Sequence, residues 1–395
     1  MIVIRYQPAE LAGLADPYPR YAELRAAGRL VRAGPVAWAV TRYRDVAGLL
    51  TDPRLSHEFP DPVYRAAGEP DQLADFFRAA VLNRDPPSHT VLRRAMARSV
   101  SPRTVAALRP RIGRLVTDLL AGLAGQESTD LIAELAYPLP VTVAAELLGI
   151  PAADRDEARP YAVALGRMFG AGPVAEPERE RAVAAVGWLR DYLGGLIRRR
   201  RPAAGDALSD LVAAARATGT IRPAELVDNV IFLFFAGFET TTNLLGTGAA
   251  LLLERPELRT RLQADPALVP TAVEEFVRWD CPIQATSRVA RAEIRLGDQV
   301  IRPGRIVVLL LASANRDERR FPAPDEVDLS RSPNPHLGFS AGPHHCLGAT
   351  LARIEAAAVF GQLATGWPAI ELAGPPVRRA GGFRGYHALP VRVRG

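Results

Sequence analysis

The chain has 395 residues, of which 48% are hydrophobic and 23% charged, the usage of an ordinary packed protein and not of a disordered or collagen-like one. All 49 basic residues are arginine against 43 acidic ones, giving a formal charge of +6; the arginines are scattered with no aromatic-interleaved basic stripe, so the charge excludes a nucleic-acid binder and fits an acidic protein partner. Two cysteines, Cys281 and Cys346, are too few for a disulfide framework or a four-cysteine metal site.

No lysine occurs, and with abundant alanine, glycine and proline this points to a GC-rich coding bias. The longest apolar stretch, residues 230–238, falls short of the ~20 residues of a membrane helix, and the N-terminus carries no signal-type apolar run. The expectation is a cytoplasmic protein with no membrane association. Length alone suggests two or three domains, but no linker is visible, so a single domain over 1–395 is expected.

In chain order, Asp16-Pro17 opens a helix over Tyr18–Ala27 that Gly28 ends, and Leu30–Arg32 with Ala37–Val40 around Gly34-Pro35 reads as a hairpin. A helix resumes over 45–50. Residues 56–83, rich in proline, glycine and charge, read as a long loop with short helical pieces. From 88 to 210 the spacing is helical, with a break over 170–177 that could hinge a lid and a four-arginine run at 198–201 that reads as a solvated helix end. One helix is predicted over 223–255, about 50 Å long and buried at its apolar middle, 230–237. Strands follow at Ile294–Leu296, Gln299–Ile301 and 306–311; an irregular meander spans 315–343; a last helix covers 347–363 and a last strand 389–393.

The strongest local signal is Phe339-Ser340-Ala341-Gly342-Pro343-His344-His345-Cys346-Leu347-Gly348. Gly342 and Gly348 bracket one cysteine and permit close approach to a flat ligand, and the helix that begins just after the sulfur favours a thiolate. Adjacent His344, His345 and Cys346 cannot readily close a tetrahedron around zinc. A second signal, Ala236-Gly237-Phe238-Glu239-Thr240-Thr241-Thr242, puts a carboxylate, hydroxyls and a glycine inside a helix that should be buried. Such residues cost helix stability, so they serve something else. Third, Glu275 and Arg278 lie three apart on one helix face, where a charge pair can form.

Together these segments resemble the cytochrome P450 family, whose haem-binding loop reads Phe-x-x-Gly-x-His/Arg-x-Cys-x-Gly. The resemblance runs over nearly the whole chain from about Asp16. It implies a mainly α fold with a minor β region, with haem between the long central helix and the cysteine-led last helix. It implies heme b (iron-protoporphyrin IX) as cofactor, with Cys346 as the thiolate on iron, Phe339 packed against the loop and Gly348 beyond it. Thiolate ligation pushes electron density toward iron and favours O–O cleavage. Ala236 and Gly237 would admit the flat cofactor and O2, and Glu239 with Thr240 would be the acid–alcohol pair that guides protons. His89, Arg93, Arg288 (ahead of a predicted strand) and His344 match the propionate partners. Arg331 would join Glu275 and Arg278 in a structural role. Ser340 departs from the pattern, since many members carry glycine there.

By family position the substrate cavity would be lined by the loop 55–82, Met168, Phe169, Phe232, Phe235, Ile283, Gln284, Ala285, Thr286 and Phe383, which suits a hydrophobic organic molecule, one from natural-product biosynthesis. The reaction implied is hydroxylation or epoxidation with O2. Electrons from NAD(P)H would arrive through a ferredoxin and its reductase, docking on a basic patch of Arg93, Arg94, Arg98, Arg103 and Arg353. The alternatives are a peroxide-driven or coupling haem-thiolate enzyme and a non-catalytic haem sensor.

Overall fold

The computed structural model describes residues 4–68, 71–126, 128–168, 174–200, 206–365, 370–379 and 383–393. Its chain divides into two compact units. Met1–Leu55, Arg109–Leu139 and Thr240–Gly395 form the first, and Ser56–Leu108 with Pro140–Glu239 the second.

In the first unit Leu30–Arg32 and Ala37–Val40 form the expected antiparallel hairpin. Ala37–Val40 pairs in parallel with Ile306–Leu309, which pairs antiparallel with Thr286–Ala290 in a five-stranded sheet edged by Leu55–Ser56. Val307 and Leu309 alternate inward and join a core with Leu30, Val40, Val46 and Leu49. The strand expected over 306–311 stops at Leu309, and Leu311–Asn315 is a short helix. Leu310, Leu311, Ala312 and Ala314 are all buried, and a continuous apolar run reads equally as strand or helix. Arg288 lies ahead of the expected strand Ile294–Leu296 and also inside a strand that was not expected, Thr286–Ala290. The last helix starts at Ala349, two residues later than expected.

The second unit is helical. The short helical pieces expected within 56–83 are Asp61–Gly68 and Asp71–Ala79, which fill more of the stretch than expected; Leu73, Phe76 and Phe77 recur at three- and four-residue spacing and are buried. Arg155–Gly166 and Glu176–Arg199 pack through stacked rings, Tyr161 on Trp188 at 4.3 Å and Trp188 on Tyr192 at 5.0 Å. Residues 169–173, and Arg201, lie outside the described residues, including Phe169 and the first half of the expected lid hinge. Arg198 and Arg199 are exposed in the last turn of Glu176–Arg199, as a solvated helix end, whereas Arg200 donates to the Gly149 carbonyl at 3.2 Å and pairs with Asp206 at 2.6 Å. Asp206 also caps Ala207–Thr218 by accepting from Ser209 N–H, and Gly219 ends that helix at φ +66°.

The central helix, Pro223–Glu254, has 32 residues and is about 48 Å long. It belongs to the second unit up to Glu239 and to the first from Thr240. Among the described residues it alone is long and apolar enough to cross a membrane, yet 72% of its most apolar window is buried inside the protein. Asn229 anchors its first half, accepting from Val81 N–H at 2.8 Å and donating to the Ala79 and Glu225 carbonyls. In its second half a Cβ on Gly246 would strike Ile132, and one on Gly248 the ring of Phe360. Only glycine permits that closeness.

Glu355, on Ala349–Thr365, is 1% exposed, and its Oε2 has no hydrogen-bond partner. Burial raises its pKa well above 4.5, so it stays protonated in the folded chain where the unfolded chain ionises. The folded state then binds more protons, and stability falls as pH rises above the unfolded value. Glu355→Gln should remove that slope, so its melting-temperature advantage over the parent should grow from pH 5 to pH 8. An unchanging difference would contradict this.

Candidate functional site

The cysteine loop closes on itself. Cys346 N–H donates to the Phe339 carbonyl at 2.8 Å, Ser340 N–H to the Leu337 carbonyl at 2.8 Å and His345 N–H to the Gly342 carbonyl at 3.0 Å. Gly342 sits at φ +69°, and a Cβ there would come 2.9 Å from the Thr51 side chain and 3.2 Å from the Leu50 carbonyl. Cys346 is exposed, three residues ahead of Ala349–Thr365, where backbone N–H groups and the positive helix end favour a thiolate. Cys281 is its opposite: fully buried, with burial pushing its thiol up to about 12.

Ser340 occupies the left-handed region at φ +61°, and its hydroxyl is buried with no partner. The common glycine would relieve that strain. Ser340→Gly should stabilise the protein by about 1 kcal/mol in chemical denaturation, and a loss of stability would contradict the strain assignment.

Below the loop, Glu275 and Arg278 are both fully buried and joined by two 2.8 Å hydrogen bonds. Arg278 also donates to the carbonyls of Asn315, Pro324 and Glu326. Glu275 accepts from Arg331 at 3.1 and 3.2 Å, from Asp328 N–H at 2.9 Å and from Asn334 at 3.1 Å. The expected three-residue group is present, and it fixes the meander.

A second network, invisible to sequence reading, starts one residue earlier. Glu274 accepts two hydrogen bonds from Arg353, at 2.6 and 2.8 Å, and lies 3.0 Å from His336 Nε2. Burial works against its charge, but the hydrogen bonds from Arg353 and His336 hold its pKa at about 2. Arg353, expected in the basic patch, is engaged with Glu274 and keeps its side chain 36% exposed. Arg94, Arg98 and Arg103 are exposed, and Arg93 is half-buried. His336 and Arg353 lie 62 and 79 residues from Glu274 in sequence, beyond any local pattern.

On the central helix Phe234, Phe235, Phe238 and Glu239 are buried, whereas Phe232, Leu233, Ala236, Gly237 and Thr240 are half-exposed. Their spacing puts them on one stripe, so an otherwise buried helix carries one open face. Phe232 meets Phe235 edge-on at 5.7 Å. The Glu239 carboxyl lies against Arg155–Gly166, because a Cβ on Gly166 would be 3.3 Å from Glu239 Cδ.

The other candidates fall into two sets. In the second unit His89 is buried, its pKa lowered by burial and then by the charge of Arg93 four residues on. In the first unit Arg288 is 3% exposed and donates to Thr286 Oγ1 and the Ser287 carbonyl. Phe339, His344 and Gly348 are half-buried, and a Cβ on Gly348 would meet nothing within 4 Å. Ile283, Gln284 and Ala285 are half-buried. Arg384 N–H donates to the Pro282 carbonyl at 2.8 Å, which brings the turn carrying Phe383 alongside them.

Among the described residues no cluster of three His, Cys, Asp or Glu side chains could hold a metal ion by itself. An exposed cysteine on a tight loop has the chemistry of a single protein donor to a metal that brings its own equatorial ligands, as iron does in a porphyrin. The open stripe bearing Ala236 and Gly237 suits a flat group equally well. The residues present fit haem.

The family model described as Cytochrome P450 matches residues 176–364. Cytochrome P450 107B1 of Saccharopolyspora erythraea is 37% identical, covering 95% of each chain. Mycinamicin IV hydroxylase/epoxidase of Micromonospora griseorubida is 38% identical over 94% of each. The solved structure of P450BioI in complex with an acyl carrier protein carrying hexadec-9Z-enoic acid superposes with a TM-score of 0.89 at 32% identity, covering 96% of this chain and 98% of that one. A cysteine loop of this form, the buried glutamate–arginine group beneath it and likeness over almost the full length lead to one assignment: the chain belongs to the cytochrome P450 family and is a P450 monooxygenase.

Proposed function

We propose that the protein inserts one oxygen atom of O2 into a hydrophobic natural product by hydroxylation or epoxidation, in the cytoplasm, drawing electrons from NAD(P)H through a ferredoxin and its reductase. Bound haem supplies reductive activation of dioxygen. The chain's own residues do the rest. Cys346 Sγ holds the iron as a thiolate, supported by the helix end behind it. His89, Arg93, Arg288 and His344 hold the propionates, which need donors once withdrawn from water. Ala236 and Gly237 leave room for the ring, and Phe339 and Gly348 shape the loop. Thr240 Oγ1 presents a proton that the Glu239 carboxyl replaces.

Phe232, Phe235, Ile283, Gln284, Ala285 and Phe383 orient the substrate and exclude water. The relative named for mycinamicin IV supports a specialised-metabolite substrate. Exposed Arg94, Arg98 and Arg103, on a chain of charge +6, support an acidic electron donor.

The observation that carries the reading is the exposed Cys346 fixed by its own loop, together with a half-exposed helix stripe that ends in a threonine. The test uses purified enzyme with surrogate ferredoxin, reductase and NADH under isotopically labelled O2. Hydrophobic candidates are first chosen by their low-spin to high-spin shift of the Soret band. One labelled oxygen in the product is expected; product formed with peroxide alone, and none with O2 and the redox partners, would overturn the reading.

A further inference from the structure

We propose that Glu274 is a positioning residue for the thiolate: through Arg353 and His336 it fixes Phe339, and through the Phe339 carbonyl it fixes the backbone of Cys346. The inference rests on the haem-thiolate reading above.

Two arms leave Glu274. The Arg353 guanidinium forks onto both carboxylate oxygens, and its central carbon stands 4.3 Å over the Phe339 ring, a cation held flat on an aromatic face. His336 forms the other arm. Gly338 N–H donates to His336 Nδ1 at 3.2 Å, so that nitrogen is bare, and the proton on Nε2 points at Glu274 Oε2, 3.0 Å away. The imidazole therefore joins a carboxylate on Val269–Trp279 to the backbone just ahead of Phe339. Its ring also lies 5.7 Å from the Phe339 ring.

The residue between them tightens the link. A Cβ on Gly338 would collide with Val277, on the same helix as Glu274. Phe339 is thus held at its ring by Arg353 and at its preceding peptide by His336, while its carbonyl receives the Cys346 N–H at 2.8 Å. Displacing Phe339 must displace the cysteine backbone, and with it the direction of the sulfur.

The test uses full-length, haem-loaded protein with the substitutions Glu274→Gln, Arg353→Lys and His336→Gln. Arg353→Lys keeps the charge but can neither fork nor lie flat; His336→Gln can still donate to Glu274 but leaves Gly338 N–H without its acceptor. In the dithionite-reduced, carbon monoxide-bound state, each variant should show about a fivefold larger share of the blue-shifted band that marks loss of the thiolate. The ferric–ferrous potential should shift with it. A purely structural network would lower the melting temperature and leave band and potential at parental values, which would overturn the proposal. So would an Arg353→Lys protein altered only in the salt dependence of its reduction by ferredoxin, since that marks a docking residue. A parent lacking the red-shifted thiolate band would instead sink the haem-thiolate reading, and this proposal with it.

Discussion

Replacing Glu275 with alanine should cost about 3–5 kcal/mol of folding stability and yield a chain that loses haem on purification. Glu275 is fully buried and answers two guanidinium groups, one backbone N–H and one amide. Removing it strands the Arg278 charge where water cannot reach, and that unpaired charge, not the lost pair energy, dominates the cost. A domain's total stability is only about 5–15 kcal/mol, so the loss is a large part of the whole. Arg278→Lys should fare little better, because an ammonium cannot serve Glu275 and three carbonyls at fixed angles. Urea denaturation followed by tryptophan fluorescence checks both variants. A loss below about 1 kcal/mol, the worth of an exposed pair, would contradict the account.

Glu239→Gln is the second large effect, and it falls on turnover. On the proposed assignment product formation should drop by about 10²–10⁴, the range for a removed general acid–base group, while substrates still shift the Soret band as before. The exchange is isosteric, so packing against Gly166, which leaves no more than 3.3 Å for a Cβ, should survive. Thr240→Ala should keep NADH consumption but separate it from product, because the half-exposed hydroxyl no longer presents its proton. If Glu239 were only a polar helix contact, both variants would change the melting temperature and leave the ratio of product to NADH alone. That ratio is the deciding number.

Much of this was legible in the sequence where the determinants are local. Tyr18–Ala27, the first hairpin and the strands Ile294–Leu296 and Gln299–Ile301 stand at their expected bounds, because caps, turn residues and alternation all act within a few residues. The cysteine loop and the Glu275–Arg278 pair were readable for the same reason. Legibility failed where burial on all sides erased periodicity, as at Leu310 and Leu311; within 56–83 the short helical pieces were foreseen but not their extent, as at Asp71–Ala79. It failed again where partners lie far apart along the chain. Nothing near Glu274 announces His336 or Arg353, and nothing near Gly338 announces Val277. Ser340 was visible as an oddity, but its positive φ was not.

The central claim is that the Cys346 thiolate binds haem iron, and its most direct test is the absorbance of dithionite-reduced protein under carbon monoxide, taken on the parent, on Cys346→Ala and on Cys281→Ala. The account requires a red-shifted thiolate band in the parent and in Cys281→Ala, whose buried thiol takes no part, and no such band in Cys346→Ala. A band that survives in Cys346→Ala, or one that is missing from the parent, would contradict it.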